Sequence, residues 1–124
     1  MAHILIVDDD PTVRTAGARL LVGNGHTVGE AESGNQALSY IDETAVDLVI
    51  MDIVMPDKGG VEALMEMHAL HPRIPVIIMS GKVPLGTAAV DSLVESYGSK
   101  AVLSKPFTAD ELLAAVEKAL AASS

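Results

Sequence analysis

Short apolar runs alternate with helix-like patterns along this chain of 124 residues, and this alternation constrains the fold more than any other feature of the sequence. Because each run is too short for a helix and is apolar throughout, it indicates a strand buried on both faces, as in a parallel sheet. Four such runs occupy residues 4–7, 48–51, 76–79 and 101–103. A weaker run, Thr27–Ala31, contains Gly29 and Glu30, which favours a strand at the edge of the sheet.

Helical patterns fill the intervals between these runs. Asp10 and Ser33 are possible caps for the first two helices, a fourth helix falls within residues 85–97, and Thr108 and Glu111 form a capping box at the start of the last. Strand and helix alternate five times, which predicts an α/β fold with helices on both faces of a parallel sheet. The expected buried faces are Val13, Ala16, Gly17, Leu20 and Leu21 in the first helix, Ala37, Leu38 and Ile41 in the second, Val61, Leu64, Met65 and Met67 in the third, and Leu112, Leu113, Val116 and Leu120 in the last.

The composition excludes several classes of function. Acidic residues outnumber basic ones by 17 to 8, so the formal net charge is −9, and such a surface should repel both nucleic-acid backbones and anionic membranes. The absence of cysteine excludes disulfides, thiolate metal sites and cysteine nucleophiles. No run resembles a signal peptide or reaches the roughly 18 apolar residues that cross a bilayer, and the composition permits an intracellular, cytoplasmic protein. The length predicts one domain, residues 1–124.

Polar side chains follow four of the predicted strands at the point where each strand ends. In a parallel sheet these ends share one edge, which is where ligands bind. An aspartate after a strand is usually only a turn residue, but the coincidence at four strands favours a site. The residues concerned are Asp8, Asp9 and Asp10 after the first strand, Asp52 after the third, Ser80 after the fourth, and Ser104 and Lys105 after the fifth.

The charges of this set favour a particular chemistry. Asp8, Asp9 and Asp52 would bring three negative charges into one pocket, and they require compensation to remain ionised there. A divalent cation with oxygen ligands, together with one lysine, balances them, and Mg²⁺ suits such a site because it also takes a phosphate oxygen. Phosphoryl transfer needs little beyond this positioning and charge neutralisation, and a carboxylate nucleophile would form an aspartyl phosphate.

At four places the sequence resembles the receiver domain of two-component response regulators, including the stand-alone chemotaxis regulators. The resemblance implies a flavodoxin-like, doubly wound parallel sheet with five strands in the order 2-1-3-4-5 and five helices on its two faces. It also implies a phospho-acceptor signalling module rather than an enzyme, with self-catalysed phosphoryl transfer and slow autodephosphorylation. The segments that carry it, in family order, are residues 4–10 (ILIVDDD), 47–56 (DLVIMDIVMP), 76–81 (VIIMSG) and 103–107 (LSKPF).

The resemblance assigns the phosphoryl and metal sites residue by residue. Asp52 would accept a phosphoryl group from a histidine kinase or a histidine phosphotransfer protein. Asp9 would bind Mg²⁺ directly, together with Asp52 and the carbonyl group of Val54, while Asp8 would act mainly through water.

The resemblance also assigns the residues that respond to the phosphoryl group. Ser80 would donate a hydrogen bond to it, and Lys105 would pair with it. Pro106 would follow a cis peptide bond that aims Lys105. The switched surface would then contact a downstream effector protein, because the resemblance covers the chain and leaves no output domain within it. The sequence leaves open a stand-alone regulator, a phosphorelay intermediate and the front of a longer protein, and it does not predict an oligomeric state.

Three departures from the family pattern affect the expected switch. Val102 stands where the family often has a tyrosine or phenylalanine, so we expect the signal to pass through Ser80 and the loop at residues 81–86. Gly59 replaces a frequent acid and has no physical explanation here. Lys82 has two interpretations. It contacts the phosphoryl group or a partner protein and so tunes the phosphoryl lifetime, or it is a solvated loop lysine.

Three other classes of protein fit this sequence less well than a receiver domain does. A phosphohydrolase with an aspartate nucleophile needs an acid at position 54, which is a valine, and a flavin-binding electron carrier would be repelled by the aspartates after the first strand. A constitutive adaptor with the same fold would not need the intact set of polar residues. Arg14 and Arg19 on the first helix are either solvated cations, the ordinary case, or contacts for an acidic partner surface.

Overall fold

The computed structural model of the chain describes residues 2–53, 60–80 and 101–123. Strands and helices alternate along these segments. The strands are β1 (His3–Val7), β2 (Thr27–Ala31), β3 (Leu48–Asp52), β4 (Val76–Ser80) and β5 (Ala101–Ser104). The helices are α1 (Pro11–Gly23), α2 (Gly34–Glu43), α3 (Gly60–Leu70) and α4 (Ala109–Ser123). The helix predicted within residues 85–97 lies outside the described residues.

The strands form one parallel sheet in the order β2-β1-β3-β4-β5. The register pairs Val7 at the end of β1 with Met51 in β3, and Asp52 with Met79 in β4. The carboxyl ends of these strands therefore meet at one edge, as the predicted site requires. The predicted α/β architecture with a parallel sheet is confirmed. Among the described helices, none is long and apolar enough to span a bilayer.

Two cores, one on each face of the sheet, explain why the strands are apolar throughout. Successive side chains of a strand point to opposite faces, so each face of the sheet buries alternate residues. The core against α2 and α3 takes Leu5, Val7, Val49, Met51 and Ile78 from the sheet. The core against α1 and α4 takes Ile4, Ile6, Leu48, Ile50, Ile77 and Met79.

Side chains cap the N-termini of three helices at the positions that the sequence predicts. The Asp10 carboxylate accepts a hydrogen bond from the N–H of Thr12 (2.9 Å), and Ser33 caps α2. The capping box of α4 is complete, because the N–H of Glu111 donates to Thr108 Oγ1 (3.1 Å) and the N–H of Thr108 donates to Glu111 Oε1 (3.0 Å). These bonds satisfy N–H groups that a helix start otherwise leaves without an intrahelical partner.

The buried faces of two helices differ from the predicted ones. The prediction that Met65 is buried is wrong, since it is 46% exposed, and Ala16 is exposed as well. In α3 the buried residues include Ala63 as well as Leu64 and Met67, and Met65 turns away from the face that these three form. In α1, Gly17 allows a close approach to β1, because a Cβ atom there would lie 2.6 Å from Ile6 Cδ1.

A polar cluster joins α2 to the edge of the sheet. The ring of His3 stacks on the ring of Tyr40, and its Nε2 lies 2.6 Å from the Tyr40 hydroxyl. Its Nδ1 lies 2.7 Å from Thr27 Oγ1. Tyr40 crosses β2 over Gly29, where a Cβ atom would overlap the hydroxyl and the ring. The glycine that sequence patterning assigned to an edge strand therefore makes room for an aromatic side chain.

Candidate functional site

Three aspartates converge at the carboxyl edge of the sheet. Asp8 follows β1 and is fully buried, Asp9 is exposed, and Asp52 ends β3 and is buried. One carboxylate oxygen of each of the three lies within 4.8 Å of those of the other two. The cluster arises because β1 and β3 are adjacent in the sheet and end at the same level. The structure thus brings together the three carboxylates that the sequence predicted would share a pocket.

Lys105 reaches the same pocket from the segment after β5. Its Nζ lies 2.5 Å from Asp8 Oδ2 and 2.8 Å from Asp52 Oδ2, and it donates a hydrogen bond to Asp52. Burial alone lowers the pKa of Lys105, but the hydrogen bonds and negative charges of Asp52 and Asp8 outweigh burial and raise it above its ordinary value. Lys105 is therefore a stable cation between two buried carboxylates.

The main chain and side chain of Asp8 are fixed by contacts from three directions. Its N–H donates to the carbonyl group of Ala31 in β2 (3.1 Å). Its Oδ1 accepts a hydrogen bond from the N–H of Asp10 (2.9 Å), and its carbonyl oxygen accepts one from Arg14 Nη1 (2.8 Å). Arg14 also donates from Nε to Glu30 Oε1 (3.0 Å). The interpretation of Arg14 as a solvated cation is wrong, because its side chain is only 12% exposed and is bonded within the domain. A contact with an acidic partner surface stays a prediction.

The donor set of this pocket fits a hard divalent cation. Three carboxylates and one ammonium group leave it with a net charge of −2, which one Mg²⁺ ion would neutralise. Among the described residues, the buried Asp8 Oδ2 has one polar partner, the ammonium group of Lys105 at 2.5 Å. A buried carboxylate oxygen with a single polar partner would be stabilised further by a metal cation. Asp8, Asp9 and Asp52 are the residues that would hold the ion.

Two of the other predicted site residues, Ser80 and Pro106, lie at or just after the carboxyl ends of β4 and β5. Ser80 ends β4 and pairs in register with Ser104, and Val102 lies within β5 opposite Ile78. The Lys105–Pro106 peptide bond is cis, as the resemblance implies. Val54 and Lys82, to which the resemblance assigns roles, lie outside the described residues.

A pocket of about 450 Å³ adjoins Lys105 on the side of α1. This pocket has no signature in the sequence, because its walls come from two segments about ninety residues apart that only the sheet brings together. It is lined by Asp10, Thr12, Val13, Ala16, Lys105, Pro106 and Phe107. An approaching molecule would therefore find an apolar surface beside the charged pocket.

Comparison with known proteins agrees with this geometry. A family model for the response regulator receiver domain matches residues 4–117. The transcriptional regulatory protein ZraR of Escherichia coli strain K12 is 43% identical over 118 residues, which are 95% of this chain and 26% of that protein. The sensor kinase CckA of Brucella abortus is 36% identical over 124 residues, covering 96% of this chain and 12% of that protein. The chain thus spans about a quarter or less of the length of these curated relatives.

Solved structures match over nearly the whole chain. A CheY-like response regulator receiver domain protein from Methanospirillum hungatei superposes with a TM-score of 0.91 at 28% identity, covering 99% of this chain and 96% of that one. The receiver domain of NtrX from Brucella abortus gives a TM-score of 0.87 at 34% identity, covering 95% of this chain and 98% of that one. This chain therefore belongs to the response regulator receiver domain family of two-component signalling.

Proposed function

We propose that the chain accepts a phosphoryl group on Asp52 from a histidine kinase or a histidine phosphotransfer protein, in a reaction that depends on Mg²⁺. Receiver domains act as phospho-acceptor signalling modules, and this chain carries their acidic pocket. The single observation behind the proposal is that the Asp52 carboxylate lies against Lys105 and within 4.8 Å of the Asp8 and Asp9 carboxylates. That arrangement combines a nucleophile, a cation and the ligands for a metal.

The transfer itself requires only positioning by these residues. A carboxylate oxygen of Asp52 attacks the phosphorus and forms an O–P bond, while the N–P bond of the phosphohistidine breaks. The electron pair of the broken bond stays on the imidazole, which takes up a proton. A bound Mg²⁺ would supply charge neutralisation at the phosphoryl oxygens. It would be held directly by Asp9, Asp52 and the carbonyl group of Val54, and by Asp8 mainly through water. Lys105, already 2.8 Å from Asp52, is placed to pair with a phosphoryl oxygen.

The remaining site residues complete a switch in this proposal. Ser80 would donate a hydrogen bond to the phosphoryl group and draw the loop at residues 81–86 towards it. Pro106 would keep the Lys105 side chain aimed at the phosphoryl group. Because Val102 is not aromatic, the signal would pass through the loop at residues 81–86. Lys82 would either tune the phosphoryl lifetime or remain a solvated residue. A fifth helix within residues 85–97 would complete the doubly wound fold with five helices on two faces.

The switched face would then bind a downstream effector protein. The formal charge of −9 supports a protein partner and opposes direct contact with nucleic acid or a membrane, and we place the chain in the cytoplasm. The apolar pocket beside Lys105 would give the phosphoryl donor a contact next to the acceptor carboxylate. Turnover of phosphoesters is disfavoured, because Val54 stands where a phosphohydrolase needs an acid; slow autodephosphorylation is the expected fate of the aspartyl phosphate.

Intact-mass spectrometry after incubation with acetyl phosphate and Mg²⁺ tests the proposal. The wild-type chain should gain the mass of one phosphoryl group, and the gain should disappear in Asp52→Asn or when a chelator removes the metal. Asp42→Asn, a substitution of an exposed aspartate on α2, is the matched control and should behave as the wild type does. An equal gain in Asp52→Asn would refute Asp52 as the acceptor.

A further inference from the structure

We propose that Arg14 is a positioning residue for the metal-binding loop after β1. The inference rests on the proposed Mg²⁺ site and extends it to a residue that touches none of the three carboxylates in the described contacts. Arg14 donates to the carbonyl oxygen of Asp8 (2.8 Å) and to Glu30 Oε1 in β2 (3.0 Å). Its Nη2 lies 3.9 Å from Glu32 Oε1.

The burial of Arg14 distinguishes it from an ordinary helix cation. Its side chain is 12% exposed, whereas Arg19 on the same helix is exposed. An arginine is rarely buried to this extent unless it is paired, and here its planar guanidinium bridges two partners on different elements. The side chain thus ties the first turn of α1 to β2 across the loop that carries Asp8 and Asp9.

The carbonyl group that Arg14 contacts belongs to the peptide unit that joins Asp8 to Asp9. The other side of Asp8 is already held, because its N–H donates to Ala31 in β2. Arg14 fixes the following peptide plane, and with it the direction in which Asp9 leaves the main chain. In the described part of the chain no side chain holds the exposed Asp9 carboxylate, so its place near Asp52 depends on the main chain beneath it.

Positioning and simple charge predict opposite effects on Mg²⁺ binding. If Arg14 acts only through its positive charge near an acidic pocket, its removal should strengthen the binding of a cation. If it orients the ligand loop, its removal should weaken binding, because the ligands must then be ordered at the expense of binding energy. Arg14→Lys separates the two effects further, since lysine keeps the charge but lacks the planar fork that reaches both partners.

The experiment measures the Mg²⁺ affinity of the unphosphorylated chain by isothermal titration calorimetry or by amide NMR shifts. The variants are Arg14→Lys, Arg14→Ala and Glu30→Gln, and the matched control is Arg19→Ala on the exposed face of the same helix. We expect the control to stay within about twofold of the wild type, and both Arg14 variants to bind roughly tenfold more weakly, as substitutions behind metal ligands do. Glu30→Gln should shift affinity in the same direction by a smaller factor. Urea unfolding in a chelator reports any loss of folding. Arg14→Lys, which keeps the charge, carries the test if Arg14→Ala does not fold.

Each other result would overturn the inference. Tighter binding by Arg14→Ala with unchanged binding by Arg14→Lys would show that only charge matters. Affinities equal to the wild type in every folded variant would reduce Arg14 to a structural residue while leaving the proposed function intact. Absence of Mg²⁺ binding in both the wild type and Arg19→Ala would instead refute the metal part of the proposed function, and this inference with it.

Discussion

Replacing Lys105 with methionine should destabilise the chain strongly in the absence of a divalent cation. The substitution keeps the length of the side chain and removes its charge. It leaves Asp8, which is 0% exposed, and Asp52, which is buried, without the ammonium group that lies between them. Two buried carboxylates that repel each other would then be compensated only by their other hydrogen bonds.

The contact distances give the size of the effect. At an effective dielectric constant of about 20, Coulomb's law gives roughly 6 kcal/mol of attraction for each of the contacts at 2.5 and 2.8 Å, before the cost of desolvating the charges. Removing one partner of a buried ion pair costs about 3–5 kcal/mol, and Lys105 is 19% exposed, so the lower end applies. For a domain of this length, about 3 kcal/mol corresponds to a fall in Tm of roughly 10 °C.

Urea and thermal unfolding followed by far-ultraviolet circular dichroism measure this loss, first in a chelator and then with Mg²⁺. Lys118→Met is the matched control, because Lys118 is exposed on α4 and its loss changes the net charge by the same amount. Mg²⁺ at about 100 times its Kd adds about 2.7 kcal/mol to the stability of any chain that binds it. The variant pocket is more negative and should bind the ion more tightly, so the deficit of Lys105→Met should shrink in Mg²⁺.

Two results would refute this reasoning. A variant as stable in the chelator as Lys118→Met would show that the contacts of Lys105 contribute nothing net to folding. A deficit of the same size with and without Mg²⁺ would show that the lost charge and the metal do not act on the same carboxylates.

Three further predictions concern single features. Gly29→Ala should cost about 1–3 kcal/mol in urea unfolding, because its Cβ would displace the Tyr40 ring. The control is Gly23→Ala, whose Cβ meets nothing within 4 Å and which should leave stability unchanged or raise it by up to about 1 kcal/mol. Equal effects of the two substitutions would contradict the overlap with Tyr40. Thr108→Ala should cost about 1 kcal/mol in the same assay, and no change would mean that the capping box is not stabilising. The raised pKa of Lys105 means that its contribution is present below its unfolded-state pKa of about 10.4 and is lost as pH rises through the higher folded-state pKa. The difference in unfolding free energy between wild type and Lys105→Met should therefore stay constant between about pH 7 and 9 and shrink only in strong alkali; a loss within that range would contradict the raised pKa.

The sequence predicted the α/β architecture and the convergence of the acidic residues for a single physical reason. Strands that are buried on both faces must be apolar throughout, so Leu5 and Ile6 are both apolar although they belong to different cores. Parallel strands share one carboxyl edge, so residues at the ends of β1 and β3 meet without any signal from side-chain packing. Asp8, Asp9 and Asp52 could be grouped in this way.

Helix faces were predicted less well where the helix is apolar on more than one side. In α3 the apolar residues include Ala63, Leu64, Met65 and Met67, so periodicity allows more than one buried face. Packing against α2 and the sheet determines which face is buried, and this face consists of Ala63, Leu64 and Met67. A large side chain such as Met65 then remains exposed, although its hydrophobicity alone favoured the core.

Arg14 shows a different limit of sequence analysis. A basic residue in the first turn of a helix is normally solvated, and nothing adjacent to it in sequence indicates otherwise. Its partners are a carboxylate 16 residues further along the chain and a main-chain carbonyl group, which has no signature in any sequence. The pairing of Arg14 could be foreseen only from the fold, in which the edge strand β2 places Glu30 beside the loop that carries Asp8 and Asp9. Only the pairing of β1 with β2 brings that carboxylate to Arg14.

The two cations of the site therefore act on Asp8 at different atoms. Lys105 lies against the carboxylate oxygen Oδ2, where it competes with any metal for the same negative charge. Arg14 contacts the carbonyl oxygen, where it fixes the loop without using a metal ligand. Under the proposed function, Mg²⁺ binding would weaken the contact of Lys105 and would leave the contact of Arg14 intact. In the proposed function, Lys105 would move from the carboxylate to a phosphoryl oxygen while Arg14 would keep the ligand loop in shape, as a reversible phosphoryl switch requires.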